Sequence, residues 1–402
     1  MQTVESTKCN LVSTQAPTGY ACCFMLQSAR IERNIIMESH EIVFIDAEVE
    51  HKSKKVLDIG AVTGDGREFH SGSLSGFADF INKCKYICGH NILTHDLKYL
   101  DEAVPKNDVV RFIDTLYYSP LLFPVKPYHG LVKDDKLVID ELNNPLNDAK
   151  KARHLFNDEI TEFLKLEKPL GRIYHGLLRE KPEFKAFFEY LGFKGDPPDT
   201  VALILDKFKG SICANANVKG ISVKYPAELA YALAQVYVIN HDSMTPPWVL
   251  KNYPRVENVL RFLRNKRCQS CDYCDDALDE DRALKRFFGF DGFRSYEGVP
   301  LQKSAVRAAV DGESILVVFP TGGGKSITFQ LPALMARVNE KGLTAVISPL
   351  QSLMKDQTDN LEYGYNITEA VTINSSLDPI ERAKAFDGPN RLIVAAGEEI
   401  EL

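Results

Sequence analysis

The most constraining stretch of this 402-residue chain is a largely apolar run, Ser314-Ile315-Leu316-Val317-Val318-Phe319, that passes without a spacer into Pro320-Thr321-Gly322-Gly323-Gly324-Lys325-Ser326. A short apolar run closed by Pro and Gly predicts a buried strand. Helical spacing follows over 326–338, then a strand over 343–348, a helix over 350–361 and a strand over 392–396. Strand, glycine turn and helix in succession are the βαβ pattern of a parallel sheet, so this part of the chain is expected to be α/β. Three glycines let successive backbone N–H groups turn toward a phosphate, and the helix N-terminus behind them adds its dipole. Lys325 then reaches the β- and γ-phosphates and Ser326 ligates Mg2+, which makes Thr321, Gly322, Gly323, Gly324, Lys325 and Ser326 a candidate ATP site. Phe319 stands where the strict G-x4-G-K-[ST] pattern has its first glycine.

The length leaves room for two or three domains of roughly 100 to 200 residues each. A hydrophobic share of 45% and a charged share of 26% favour buried cores over disorder or a fibrous repeat. No apolar run approaches the ~18 residues needed to span a bilayer, so no membrane partner is expected. Nine cysteines without a secretory signal point to a reducing, cytoplasmic setting in which they act as thiols or metal ligands. The net charge of -7 argues against indiscriminate coating of nucleic acid and leaves room for local basic patches.

Residues 1–36 show no sustained period and are expected to be an extension that adds no domain, with Met37 as the true start. Strands are predicted over 42–49, 56–62 and 67–70, the last two joined by the turn Gly64-Asp65-Gly66, and helices near 77–83, 95–100 and 148–166. These make a first domain, 37–166. Residues 167–288 carry helical periodicity broken at Asp196-Pro197-Pro198 and Thr245-Pro246-Pro247, and read as a helical connector. Residues 289–402 form the nucleotide-binding lobe.

The first domain holds four acids in suggestive settings. Asp46 and Glu48 are two residues apart on a predicted strand, so both project from one face. Two acids side by side repel unless cations sit between them. Asp96 lies at the start of a predicted helix, and Asp148 opens another, where the helix dipole favours an anion.

In the connector, Cys268, Cys271 and Cys274 make two overlapping C-x2-C units with good thiolate–metal spacing. Cys213 is the first choice for a fourth ligand and His241 the second. Zinc and an iron–sulfur cluster both suit three such thiolates, although a ferredoxin-type run would want a cysteine where Leu278 stands. Lys251, Arg255, Arg261, Arg264, Lys266 and Arg267, with Trp248 and Tyr253 nearby, suit a phosphate backbone and a stacked base. They also suit a solvated helix face over buried Val256, Leu260 and Leu263.

The four acids and their contexts resemble the DnaQ-like (DEDD) 3'-5' exonucleases over about 125 residues. That resemblance implies a ribonuclease H-like fold and two Mg2+ or Mn2+ ions, with Asp46 as bridging ligand and Glu48, Asp96 and Asp148 completing the oxygen cage. Members of that family usually carry a His or Tyr base four or five residues before the last acid, where this chain has Asn143 and Asn144. His129 or His154 is then the replacement base, or the domain only holds DNA ends without cutting them. The loop and its flanks, Gln302, 329–334 and 348–357, resemble bacterial RecQ-type DNA helicases over 293–402. The resemblance implies a RecA-like lobe, adenine recognition by Gln302, DNA-backbone contacts from 348–357, ATP with Mg2+ as cofactor and a role in DNA repair or recombination. Single-stranded DNA or DNA with 3' ends is the implied partner. No DEAH-type acidic motif or second lobe follows, so the lobe reads as truncated and the chain as the amino-terminal fragment of a fusion. A DNA-stimulated ATPase faster than about 1 s⁻¹ is therefore not expected.

Overall fold

Alternation along strand β1 (Ile42–Val49) sets the first layer. Ile42 and Phe44 face one core while Val43, Ile45 and Ala47 face another, as a strand in mid-sheet must. The computed structural model describes residues 41–50, 52–105, 109–126, 128–131, 144–193, 199–239, 244–268, 270–348, 350–373, 377 and 392–395. The extension 1–36, the start at Met37, Asn143 and His241 lie outside the described residues. Strand β2 (Val56–Thr63) pairs antiparallel with β1, and β3 (Glu68–His70) antiparallel with β2. After helix α1 (Leu74–Ile81), strand β4 (Tyr86–Gly89) runs parallel to β1; after α2 (Leu97–Leu100), β5 (Arg111–Asp114) runs parallel to β4. The sheet order is β3-β2-β1-β4-β5. The sequence reading leaves out β4 and β5 because four-residue buried strands carry no usable period.

Helix α1 covers one face through Phe77 and Ile81. The other face is covered by α3 (Thr115–Leu122) and α4 (Pro145–Lys165). Helix α4 starts where Pro145 sets the first turn and the Asn144 side chain accepts from the N–H groups of Leu146 and Asn147, meeting two orphan donors. Ala149, Ala152, Phe156, Ile160 and Phe163 form its buried stripe. Phe156 packs on Phe44 of β1 with ring centroids 5.6 Å apart, and burying such a ring contributes about 1.5–3 kcal/mol.

The helices that follow are α5 (Lys168–Leu178), α6 (Pro182–Tyr190), α7 (Thr200–Lys207), α8 (Val218–Lys224), α9 (Pro226–Tyr237), α10 (Pro247–Asn252) and α11 (Val256–Arg264). They are not a separate connecting body: one hydrophobic core runs from Ile42 in the sheet to Leu263 in α11. Tyr190 meets Tyr86 of β4 edge-on at 5.1 Å, Phe187 stacks on Tyr118 at 4.2 Å, and the Tyr231 hydroxyl donates to the Tyr117 carbonyl at 2.8 Å. Periodicity reveals that a helix has an apolar face but not which partner covers it, so a boundary at 166 divides a shared core.

Beyond α12 (Asp272–Ala277) a second core forms around α13 (Glu280–Phe288), α14 (Leu301–Val310), α15 (Ile327–Glu340) and α16 (Gln351–Asp359). It carries a parallel sheet of β6 (Thr344–Ile347), β7 (Ala370–Ile373) and β8 (Leu392–Ala395) in the order β6-β8-β7. The expected strand over 314–319 does not form: those residues join no ladder, and Leu316 and Val318 are 91% and 81% exposed. Strand propensity reflects fit to a pleated, half-buried surface, and this run has no such surface against it. Among the described residues no helix is long and apolar enough to cross a membrane.

Candidate functional site

The glycine loop enters α15 as expected, and Gly322 and Gly324 take left-handed φ angles of +76° and +72°, which glycine adopts without steric cost. Three residues upstream of the loop hold its carbonyls in turn. Arg294 Nη1 donates to Gly322 O at 2.7 Å, the Tyr296 hydroxyl donates to Gly323 O, and Gln302 Nε2 donates to Gly324 O at 2.9 Å. Gln302 is buried, and its Oε1 accepts from the Arg294 N–H at 2.8 Å. Its amide therefore braces the loop. Tyr296 also stacks on Phe319 at 4.8 Å, which places an aromatic contact where the strict motif has glycine. Lys325 and Ser326 remain exposed. A cavity of about 420 Å³ opens beside the loop, lined in part by Phe290, Arg294, Gln302, Gly324, Ser326 and Tyr365. Arg294 and Tyr296 escape the sequence reading because neither belongs to a spacing motif.

Two of the four acids, Asp46 and Glu48, share one face of the first sheet. Alternation puts Asp46 and Glu48 on the β1 face that bears Ile42 and Phe44, the face α4 covers. Asp46 lies opposite Gly60 of β2, and Glu48 opposite Asp58. Gly60 admits the start of α4: a Cβ there would sit 2.0 Å from Leu146 N and 2.1 Å from the Pro145 carbonyl carbon. Asp148 lies in the first turn of that helix. Asp96 is buried, and its Oδ1 accepts from the N–H of Ala47, the residue between Asp46 and Glu48, at 2.9 Å. Burial pushes the Asp96 carboxyl up to about 6, against the pull of His95 and the Ala47 N–H.

The acids do not close into one ligand cluster. Among the described residues, the only group of three or more ligand-type side chains with donor atoms all within 4.8 Å is made of cysteines. Lys151 Nζ lies 3.4 Å from Asp148 Oδ1, and His95 Nδ1 lies 3.7 Å from Asp96 Oδ2. The donor set itself, carboxylate oxygens with one deeply buried, suits hard divalent cations.

Of the replacement bases, His154 is exposed on α4. His129 is buried, with Nδ1 3.0 Å from Ser119 Oγ and Nε2 without a partner, and burial pushes its imidazole down to about 4. Asn144 is committed to capping α4. A fifth acid, Asp114, is wholly buried at the end of β5. It accepts from the N–H groups of Asn91, Leu93 and Leu116 at 2.7, 3.0 and 3.1 Å. These bonds fix the segment between β4 and Asp96. A lone acid outside any pair gives no sequence signal for that role.

In the helical region half of the basic run is structural. Arg261 Nη2 donates to Asp311 O at 2.7 Å, Arg264 is buried and donates to Asn339 O and Ser211 O, and Arg267 donates to Leu278 O and Glu280. Trp248 and Tyr253 pack edge-on and tilted around Tyr117 and Tyr231. Val256, Leu260 and Leu263 are buried as in the alternative reading, and Arg261, Arg264 and Arg267 bind backbone carbonyls, while Lys251, Arg255 and Lys266 stay exposed. Cys213, Cys268, Cys271 and Cys274 do come together. His90, Cys84 and Cys88 take no part; His90 Nδ1 lies 2.9 Å from Thr115 Oγ1, and both cysteines are buried in the first domain.

Residues 299–399 match the DEAD/DEAH box helicase family model. Over 79 residues the chain is 49% identical to the ATP-dependent DNA helicase Q5 of Rattus norvegicus, covering 19% of this chain and 7% of that protein. Over 121 residues it is 47% identical to the ATP-dependent DNA helicase RecQ of Haemophilus influenzae, covering 29% of this chain and 18% of that protein. The ATP-dependent helicase SGS1 of Saccharomyces cerevisiae is 46% identical over 78 residues, 19% of this chain and 5% of that protein. The chain thus spans less than a fifth of the length of each of these relatives, and the segment that matches the family model holds the glycine loop.

Proposed function

We propose that this chain is part of an ATP-dependent DNA helicase of RecQ type that carries a metal-dependent 3'-5' exonuclease-like domain ahead of its ATP-binding lobe and acts in DNA repair or recombination. The observation that carries the helicase half is the braced glycine loop inside the segment that matches DEAD/DEAH box helicases. Lys325 and Ser326 are exposed at that loop, and in this reading they would meet the phosphates and Mg2+ of ATP. The nuclease half rests on the link between Asp96 and the Ala47 N–H, which ties the buried acid to the Asp46–Glu48 pair. Asp46, Glu48, Asp96 and Asp148 would hold Mg2+ or Mn2+, which supplies an activated water and charge neutralisation at the leaving oxygen. The chain's own contribution is to hold Asp96 on its backbone anchor and to release Asp148 from Lys151.

Single-stranded DNA labelled at its 5' end and incubated with Mn2+ tests the nuclease half. Stepwise shortening from the 3' end that disappears in Asp46→Ala supports it. Tight binding of 3' ends without any shortening favours a DNA-end-binding module, the reading to which the Asp148–Lys151 ion pair lends weight. For the helicase half, a fluorescent ATP analogue should bind in the presence of Mg2+ and lose at least tenfold in affinity in Lys325→Ala; equal binding by both proteins would remove the loop from the account.

A further inference from the structure

We propose that Cys213, Cys268, Cys271 and Cys274 hold a single zinc ion as a closed tetrahedral site, and that this ion locks the helical region onto the end of α15 remote from the glycine loop. The four donor sulfurs lie within 4.8 Å of one another, and Cys213 Sγ and Cys271 Sγ are 3.9 Å apart. Zinc–sulfur bonds of about 2.3 Å in a tetrahedron place the sulfurs roughly 3.8 Å apart, which matches. A disulfide needs about 2.05 Å, and a cube of iron and sulfide atoms needs the cysteines spread around it, so neither suits this spacing.

The surroundings are those of thiolate ligands. Asn215 Nδ2 donates to Cys268 Sγ at 3.3 Å and the Cys274 N–H to Cys271 Sγ at 3.4 Å, bonds that orient ligands and spread their charge. Cys213 and Cys274 are buried and the other two half-buried. With four protein ligands no position is open for substrate, so the site is structural.

The local core offers little else, since Cys213, Tyr273, Cys274 and Leu278 are its buried members. Yet the segment carries the bridge to the ATP-binding lobe. Arg264, whose guanidinium lies 5.1 Å over the Tyr273 ring, donates to Asn339 O at 2.5 Å, and Asn339 Nδ2 donates back to Ala277 O at 3.1 Å. Asn339 is in the last turn of α15, the helix that begins at the loop. Drawing Cys213 against the Cys268–Cys274 turn holds both anchor points of this bridge.

The test is metal analysis of the full chain purified without added metal, joined to backbone hydrogen exchange. The expected results are one zinc per chain with no iron or acid-labile sulfide, and the absorption of tetrahedral thiolate cobalt after exchange with cobalt(II). Cys213→Ser should lose most of the zinc, whereas Cys88→Ser, outside the cluster, should keep it. Removing zinc by chelation should speed exchange about tenfold or more at the end of α15 and in α12. Iron with sulfide, or no metal, overturns the site; full zinc in Cys213→Ser overturns the ligand set; unchanged exchange in α15 after zinc removal overturns the locking role.

Discussion

Asp114 has no exposed surface, and burial raises its carboxyl from an ordinary 3.8 to about 6 despite three backbone N–H donors. The folded chain therefore binds a proton more tightly than the unfolded one, so stability from this residue is greatest below about pH 4 and is lost as pH rises toward 6. A shift of that size corresponds to about 3 kcal/mol. Urea unfolding of the parent and of Asp114→Asn should show the variant gaining on the parent by about 2–3 kcal/mol between pH 4 and pH 7. A difference that does not vary with pH would mean that Asp114 is ionised throughout. Gly324 is a second residue whose environment leaves no choice. Its φ is +72°, and a Cβ would approach Gln302 Nε2 to 2.5 Å. Gly324→Ala should distort the loop and weaken Mg-ATP binding at least tenfold, measured by titration with a fluorescent analogue, while far-ultraviolet circular dichroism stays the same. Neither residue announces its role locally: the loop spacing marks Gly324 as a candidate, but the reason that alanine fails lies in Gln302, which comes from another helix.

At the scale of elements, α4 does two jobs at once. Its stripe from Ala149 to Phe163 fills the core, and its first turn carries Asp148. Both depend on Gly60, because the backbone of Pro145 and Leu146 lies where any side chain would be. Gly60→Ala should push the start of α4 off the sheet, cost about 1–3 kcal/mol or more in thermal or urea unfolding, and abolish any Mn2+-dependent stabilisation of the first domain. Retention of both would show that α4 is free to shift. The helix itself is legible in the sequence from its apolar spacing, and its bounds shift to Pro145–Lys165 in place of 148–166. The run 314–319 shows the opposite case. Its apolar character predicts a strand, but a strand also needs an edge to pair with, and composition does not say whether one is present. β4 and β5 are missed for the converse reason: they are too short to show a period, and parallel neighbours alone make them strands.

Across the whole molecule, side-chain-to-backbone bonds join the helical core to the core around α15. Arg264 spans the junction from α11 to Asn339, with Arg261 reaching Asp311 beside it. Arg264→Ala leaves buried carbonyls unpaired, a cost of about 1–3 kcal/mol. It should therefore lower the unfolding temperature of the ATP-binding lobe and split one calorimetric transition into two, with the sheet domain little changed. A single, unshifted transition would show that the arginine is dispensable. Short-range chemistry was enough to find the glycine loop, the Asp46–Glu48 pair and the cysteine run, because each needs particular residue types at close spacing along the chain. Cys213, the first choice for a fourth ligand ahead of His241, lies beside the other three sulfurs. What had to come from three dimensions was the single core joining sheet and helices, the turning of Arg261, Arg264 and Arg267 onto carbonyls, and the anchoring of Asp96 on Ala47. These join residues tens of positions apart, where burial and backbone approach, rather than spacing along the chain, decide which groups meet.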